Sequence, residues 1–248
     1  YEEQAFNAMM NAAEAAAKQH FPSEREPYFF CLPGGFGLRE TVRLQQLIAL
    51  RGIDCKGFIS EKSAAALGLV GKLNRRKDEI FAVHTKTEGS ATLCCYQYDG
   101  DILEQWGPVT DQHRVRRLYY LGEAPNLRKL VQYPCYRAAE TVPIPGRTIL
   151  TGLQTQLRIL SGAEERLLYL EALPFASGCA VGTRAPVTLI DAFTTIPAQS
   201  SKPFPVADLR SSEGLNLFER RQGDWLKAAE LPLGNLDRKQ LFAGGTAE

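Results

Sequence analysis

The spacing of apolar residues in the first third of the chain switches between helical and strand-like periods. Ala-rich sequence favours the opening helix, aromatic residues favour the first strand, and a Val/Leu/Ile stripe at helical spacing favours the next helix. The predicted elements are a helix over 2–20, a strand over 28–32, a helix over 39–51, a strand over 55–59 and a helix over 63–70. This order predicts an α/β layer.

The middle of the chain reads as a small sheet with two more helices. A turn at Asp99-Gly100 separates a hairpin from a third strand. The predicted strands are 80–83, 91–98, 102–106 and 117–121, and the predicted helices are 127–132 and 147–160.

The pattern changes near residue 170. The apolar tetrad Leu167-Leu168-Tyr169-Leu170 is predicted to end a helical segment. From Pro174 onward, short alternating runs are separated by Gly and Pro turns, which is typical of a small all-β domain. The best domain boundary therefore lies near residue 170.

Composition narrows the class of partner. A formal net charge of +1 with 44% hydrophobic residues gives no whole-chain case for nucleic acid or membrane binding. The basic runs Arg75-Arg76-Lys77 and 114–117 read as solvated turns, since no stacking aromatics interleave them. No apolar run approaches the roughly 20 residues of a membrane span.

The six cysteines show neither a CxxC pair nor a metal-ligand spacing, so no metal site is predicted. They are expected to be free, packed as small apolar side chains in an intracellular reducing compartment such as the cytosol or an organelle interior. Cys94 and Cys95 should face opposite sides of their strand. The sequence opens on Tyr1 rather than on Met, so a targeting segment ahead of Tyr1 is kept as an alternative.

The stretch FCLPGGFGLRETVRLQQLIALRGIDCKGFISEKSAAALGL, followed by the segments described above, resembles the Hsp70 chaperone family. The resemblance implies an actin-like ATPase fold, in which Pro33 would relay nucleotide state and Glu61 would help place magnesium and water. It makes 1–166 a nucleotide-binding-domain remnant with lobes 1–72 and 73–166. It makes 167–175 an interdomain linker centred on Leu167–Leu170, and 176–248 part of a β-sandwich that grips peptides, with strands at 187–190, 202–206 and 215–220.

The nucleotide landmarks of that family are altered. Where the family has an Asp-Leu-Gly-Gly-Gly-Thr-Phe-Asp phosphate loop, this chain has His84 at the first aspartate, Lys86-Thr87-Glu88 at the triple glycine and Ala91 at the second aspartate. At the nucleoside motif Gly122 is kept, but Asn126 stands where an arginine would stack on adenine. The family's first phosphate hairpin and its adenine-clamping lobe have no counterpart in this numbering, either through deletion or because they lie outside it.

The expected function is an Hsp70-like protein-binding protein with an inactive nucleotide site. It would act as a chaperone-like protein or as a structural subunit of a larger protein assembly. No catalytic residue and no cofactor are expected, and the family's nucleotide-site positions reduce to Pro33, Glu61 and Gly122. The alternative is an active ATP-dependent chaperone that uses ATP and Mg²⁺ and whose missing loops lie outside this numbering.

Two other readings of the residues are weaker. His84 and Cys94 could meet on paired strands, but a catalytic dyad lacks an orienting third group. The Gly34-Gly35-Phe36-Gly37 stretch lacks the Lys-Ser/Thr of a phosphate loop and is predicted to be a plain turn.

Overall fold

A computed structural model of the chain describes residues 2–20, 27–73, 79–87, 90–106, 114–130, 132–196 and 214–232. The α-helices of these ranges are α1 (Glu2–His20), α2 (Leu38–Arg51), α3 (Glu61–Leu69), α4 (Leu127–Leu130) and α5 (Arg147–Leu160). The strands are β1 (Tyr28–Leu32), β2 (Cys55–Ser60), β3 (Glu79–Thr87), β4 (Ser90–Tyr98), β5 (Ile102–Trp106), β6 (Arg117–Leu121), β7 (Glu140–Pro143), β8 (Leu168–Ala172), β9 (Ala176–Val181), β10 (Val187–Ile190), β11 (Thr195–Ile196), β12 (Gly214–Arg221) and β13 (Asp224–Pro232).

Strands β1 and β2 form a parallel pair, with α2 as the crossover between them. Gly52 ends α2 in the left-handed region (φ 67°), where its amide donates to carbonyls of the last turn. On this pair, Phe6 and Met10 of α1 pack against Leu47 and Ile48 of α2. The predicted strand–helix–strand–helix order is therefore confirmed.

The seven-stranded sheet has the order β11-β8-β5-β4-β3-β6-β7. Strands β3, β4 and β5 form the predicted antiparallel meander, and β6 and β7 continue it in parallel on the β3 side. On the other side, β8 pairs in parallel with β5, and β11 pairs antiparallel with β8. Mixed pairing of this kind, with helices packed on the sheet, is an α/β arrangement.

Helix α3 is buried along its length and packs on both the sheet and α5. Two glycines set its distance from α5. A Cβ atom on Gly152 would lie 1.7 Å from the Ala64 carbonyl oxygen, and one on Gly68 would lie 2.0 Å from the Thr148 carbonyl oxygen. The two helix backbones can approach this closely only because both positions lack a side chain.

The second sheet is antiparallel and has the order β10-β9-β12-β13. Strands β10 and β12 confirm the strands predicted at 187–190 and 215–220, while the predicted strand 202–206 and the basic run Arg75–Lys77 lie outside the described residues. The described range therefore confirms a mixed α/β chain with a smaller all-β sheet after it.

One prediction is wrong. Residues 168–172 are a paired strand of the seven-stranded sheet, so the apolar tetrad does not end a helix. Tyr169 and Leu167 pack against the main core, whereas Leu168 is exposed. Because β11 returns to pair with β8, sequence beyond the predicted boundary completes the same sheet. The domain division itself stays a prediction.

Candidate functional site

Pro33 and Glu61 leave the same edge of the parallel β1–β2 pair. Leu32 lies opposite Ser60 in the register, so the residues that follow them emerge side by side at the carboxyl ends of the two strands. The Pro33 carbonyl accepts the Phe36 amide at 3.1 Å, which makes the Gly34-Gly35 stretch the predicted turn. The structure thus brings together two of the three predicted nucleotide-site positions.

The surroundings of Glu61 disfavour its ionised form. Its Oε2 atom is buried and has no hydrogen-bond partner, and burial raises the pKa of the carboxyl. Burial also raises the pKa of the nearby Cys31 thiol to about 11, with a further contribution from the charge on Glu61.

Gly122 lies at the edge of the seven-stranded sheet. Thr85 of β3 lies opposite Leu121 of β6. The next residue on each strand, Lys86 and Gly122, therefore lies beside the other near the carboxyl ends of these two parallel strands. The Lys86 ammonium forms an ion pair with the exposed Glu123 carboxylate, and that cation lowers the pKa of Glu123.

The backbone explains the glycine at position 122. Its φ is 79°, and a Cβ atom there would lie 3.1 Å from the Lys86 carbonyl oxygen. Gly122 is therefore required by a turn against the neighbouring strand, independently of any phosphate.

His84 lies on the other face of this sheet from α3. It shares a face with Ala82, which packs with Cys95 in a separate cluster, whereas Val83 packs in the α3 core. His84 is buried, its Nδ1 atom has no hydrogen-bond partner, and burial lowers its pKa. We therefore expect the His84 imidazole to be neutral and shielded from solvent.

The considered dyad of His84 and Cys94 does not form. The register places His84 opposite Leu93 and Cys94 opposite Val83, so the two side chains point to opposite faces. The same register confirms that Cys94 and Cys95 face opposite sides. All six cysteines are free, and Cys95, Cys135 and Cys179 are buried.

The described residues do not fit the nucleotide that the resemblance implies. In the described part of the chain, no hydrogen bond or ion pair joins Glu61 to His84, Lys86 or Gly122, and no three His, Cys, Asp or Glu side chains are grouped to hold a metal. A phosphate cradle needs exposed backbone amides, whereas this edge carries the side chains of Lys86 and Glu123, which form an ion pair. Residues 88–89 of the altered loop lie outside the described range.

A buried polar junction that was not predicted from the sequence connects α2 to the four-stranded sheet. We call it the α2 junction: Gly37, Leu38, Glu40, Glu219 and Arg221. The Gly37 amide donates to Glu40 Oε2 at 3.0 Å, and the Leu38 amide donates to Glu219 Oε2 at 2.7 Å. A carboxylate from strand β12 thus caps a helix that lies 181 residues earlier in the chain.

Arg221 contacts both carboxylates of the α2 junction. Its Nη2 atom contacts Glu40 and lies 2.5 Å from Glu219 Oε1, and its guanidinium lies 4.7 Å from the centre of the Phe175 ring. Glu219 is only 1% exposed, so its charge depends on these partners. Burial pushes the pKa of Glu40 upward, but the Gly37 amide and Arg221 outweigh it and lower the pKa.

The junction also requires Gly37. A Cβ atom there would lie 2.3 Å from Glu219 Oε2, 2.5 Å from Arg221 Nη2 and 3.0 Å from Phe175 Cδ2. A side chain at position 37 would therefore have to displace the Glu219 carboxylate and the Arg221 guanidinium from the helix start.

A second polar cluster lies where β8 meets α3. Ser60 caps α3 by accepting the Ser63 amide, and Ser63 Oγ lies 3.3 Å from Glu171 Oε1 and 3.4 Å from the Tyr96 hydroxyl. Burial raises the pKa of Glu171 and of Tyr96. These groups tie β8 to the helix by hydrogen bonds as well as by apolar packing.

One signal in the sequence could have revealed the α2 junction. Leu215, Leu217, Glu219 and Arg221 alternate along β12, so the two charged residues lie on the same face as two leucines. Charges that continue an apolar face indicate a buried polar contact. The partner on α2, however, is too distant in sequence to infer.

A scan of the chain against models of protein families finds no match, and a search of curated proteins finds no similar one. Of the helices in the described ranges, none has both the length and the apolar character needed to cross a bilayer.

Proposed function

We propose that this chain is an Hsp70-like protein-binding protein whose nucleotide site is inactive, acting as a chaperone-like protein or a structural subunit of a larger assembly. The observation that carries the proposal is the Lys86–Glu123 ion pair at the sheet edge where the resemblance puts phosphate. A side-chain ion pair there replaces the glycine-rich backbone that phosphate needs.

The proposal also includes a more detailed assignment of the fold. A meander of β3, β4 and β5 continued by parallel β6 and β7, preceded by the β1–β2 unit, would be an incomplete actin-like ATPase fold. The four-stranded sheet would be the start of the peptide-gripping sandwich. The order of segments supports this assignment, since each predicted strand in the described range is found at its predicted place, and only the helical reading before residue 170 is wrong.

Protein binding is supported by the edges of the four-stranded sheet. Strand β10 is an edge strand in the described sheet, and Val187 on it is 50% exposed. Exposed edge strands pair with extended segments of other chains. A sheet with an exposed edge strand suits a protein that is completed by partners.

The alternative, an active ATP-dependent chaperone, is favoured by the placement of Pro33 and Glu61. They lie side by side at the carboxyl edge of the β1–β2 pair, as a role in relaying nucleotide state would require. This alternative needs phosphate-binding and adenine-binding parts that lie outside this numbering.

Binding of fluorescein-labelled, permanently unfolded lactalbumin, followed by fluorescence anisotropy, tests the proposal. We expect binding that excess native lactalbumin does not compete and that Mg²⁺·ATP leaves unchanged. Val187→Lys should weaken it, because a charge on an edge strand blocks pairing, while Val187→Thr should not. Binding that Mg²⁺·ATP releases would support the active chaperone instead, and the absence of any binding would contradict both.

Native size separation of cell extract distinguishes the two roles within the proposal. A structural subunit should elute with a large assembly, whereas a peak at the size of a single copy of the protein would contradict the subunit role.

A further inference from the structure

A pocket of about 540 Å³ lies between the first turn of α1, one face of α2 and strand β13. Its apolar lining residues lie just before α2, on α2 and on β13: Phe36, Val42, Leu44, Leu47 and Ala228. Small-molecule sites commonly have volumes of about 300–1,000 Å³ with a largely apolar lining and a few polar groups. The pocket adjoins the α2 junction but takes no part in the proposed nucleotide or protein-binding sites.

The two arginines of the pocket lining differ in their partners. Arg43 pairs with Glu2 at 3.2 Å, whereas Glu40 pairs with Arg221, which also contacts Glu219 at the α2 junction. Arg39 also lines the pocket, is exposed, and forms no ion pair with any residue in the described part of the chain. The pocket therefore combines apolar lining residues with one exposed guanidinium that has no ion-pair partner among the described residues.

We infer that this pocket binds a small organic anion, whose apolar body fills the space between α2 and β13 and whose acidic group pairs with Arg39. A guanidinium can hold a carboxylate or sulfonate through two parallel hydrogen bonds, which favours an anion over a neutral ligand of the same shape. Burial of the apolar body supplies affinity, and Arg39 supplies selectivity for negative charge. This site is independent of the proposed function.

A matched pair of fluorescent probes tests the inference on the full chain. Anilinonaphthalene sulfonate carries an aromatic body and one negative charge, and N-phenylnaphthylamine has the same aromatic body without the charge. Arg39→Gln should weaken binding of the sulfonate about fivefold and leave the neutral probe unchanged, since exposed ion pairs contribute up to about 1 kcal/mol. Arg39→Lys should recover part of the loss, and high salt should reduce the difference between the probes.

Two further variants separate this pocket from other apolar surfaces. Ala228→Leu narrows the pocket and should weaken both probes, while its urea unfolding midpoint stays near that of the wild type. Arg147→Gln is the control, because it removes an exposed cation one turn from Leu150, which is 62% exposed on α5 but lines no part of this pocket. It should change neither affinity. The inference is overturned if Arg39→Gln leaves the sulfonate affinity unchanged, if it weakens both probes equally, or if Arg147→Gln has the larger effect.

Discussion

Replacing Arg221 with methionine is the sharpest perturbation of the α2 junction. The substitution keeps an unbranched side chain that can still cover the Phe175 ring, but it removes the only cation contacting the buried Glu219 carboxylate in the described structure. Glu219 keeps its hydrogen bond from the Leu38 amide. It must then either stay ionised without a countercharge or take up a proton.

The cost of the second outcome, protonation of Glu219, sets the size of the expected loss of stability. Protonating a glutamate of ordinary acidity costs about 3.7 kcal/mol at pH 7 and about 1 kcal/mol at pH 5, since each pKa unit is worth about 1.36 kcal/mol. Losing the guanidinium–ring contact adds about 0.5–1 kcal/mol. The Glu40 contact is partly exposed and adds little. We therefore expect Arg221→Met to lower the free energy of unfolding by about 4–5 kcal/mol at pH 7 and by about 1.5–2 kcal/mol at pH 5.

Urea unfolding of wild type and variant at both pH values measures this difference. Arg220→Met is the matched control. Arg220 is the preceding residue on the same strand, is exposed, and lies 5.8 Å from the Trp225 ring centre, so its loss should change stability by less than about 1 kcal/mol at either pH. Adding Glu219→Gln to Arg221→Met should restore about 2 kcal/mol at pH 7, because the neutral amide can still accept the Leu38 hydrogen bond.

A loss below about 1 kcal/mol for Arg221→Met at pH 7, or the same loss at pH 5 and pH 7, would refute the reasoning. Either result would mean that the Glu219 charge does not depend on Arg221.

Three more predictions follow from packing and titration. Gly152→Ala should destabilise the protein by about 3 kcal/mol in urea unfolding, because its Cβ would overlap the Ala64 carbonyl, whereas Gly146→Ala, with nothing within 4 Å, should stay within about 0.5 kcal/mol; equal effects would contradict the close helix contact. The lowered pKa of His84 means that the folded state binds fewer protons than the unfolded state, so wild-type stability should fall as pH drops below 6.5, and His84→Gln should show a shallower fall. Since burial raises the pKa of the Cys95 thiol to about 12, iodoacetamide should label Cys95 only after unfolding, as read by mass spectrometry, and rapid labelling of the folded protein would contradict its burial.

Most local elements could be predicted because their periodicity is distinctive. The helix α2 and the β3–β4 hairpin each carry several turns or pairs of consistent pattern. Strand β8 could not be assigned in this way. A run of four apolar residues has no period of its own, and its strand conformation comes from pairing with β5, which is distant in sequence.

The candidate sites also differ in how far the sequence predicts them. The placement of Pro33 beside Glu61 follows from two parallel strands that end in register, which sequence order indicates. The α2 junction depends on a contact between Leu38 and Glu219 across 181 residues, and no local pattern predicts which helix start a buried carboxylate will reach. Gly122 shows the opposite case, since a residue that matches a nucleotide motif is explained here by a turn against Lys86.

Titration of Mg²⁺·ATP into the purified chain by calorimetry tests the central claim most directly. The account predicts no binding tighter than about millimolar, roughly −4 kcal/mol, because the edge that should hold phosphate carries the Lys86–Glu123 ion pair. Micromolar affinity together with ATP turnover that Glu61→Ala abolishes would contradict the inactive nucleotide site.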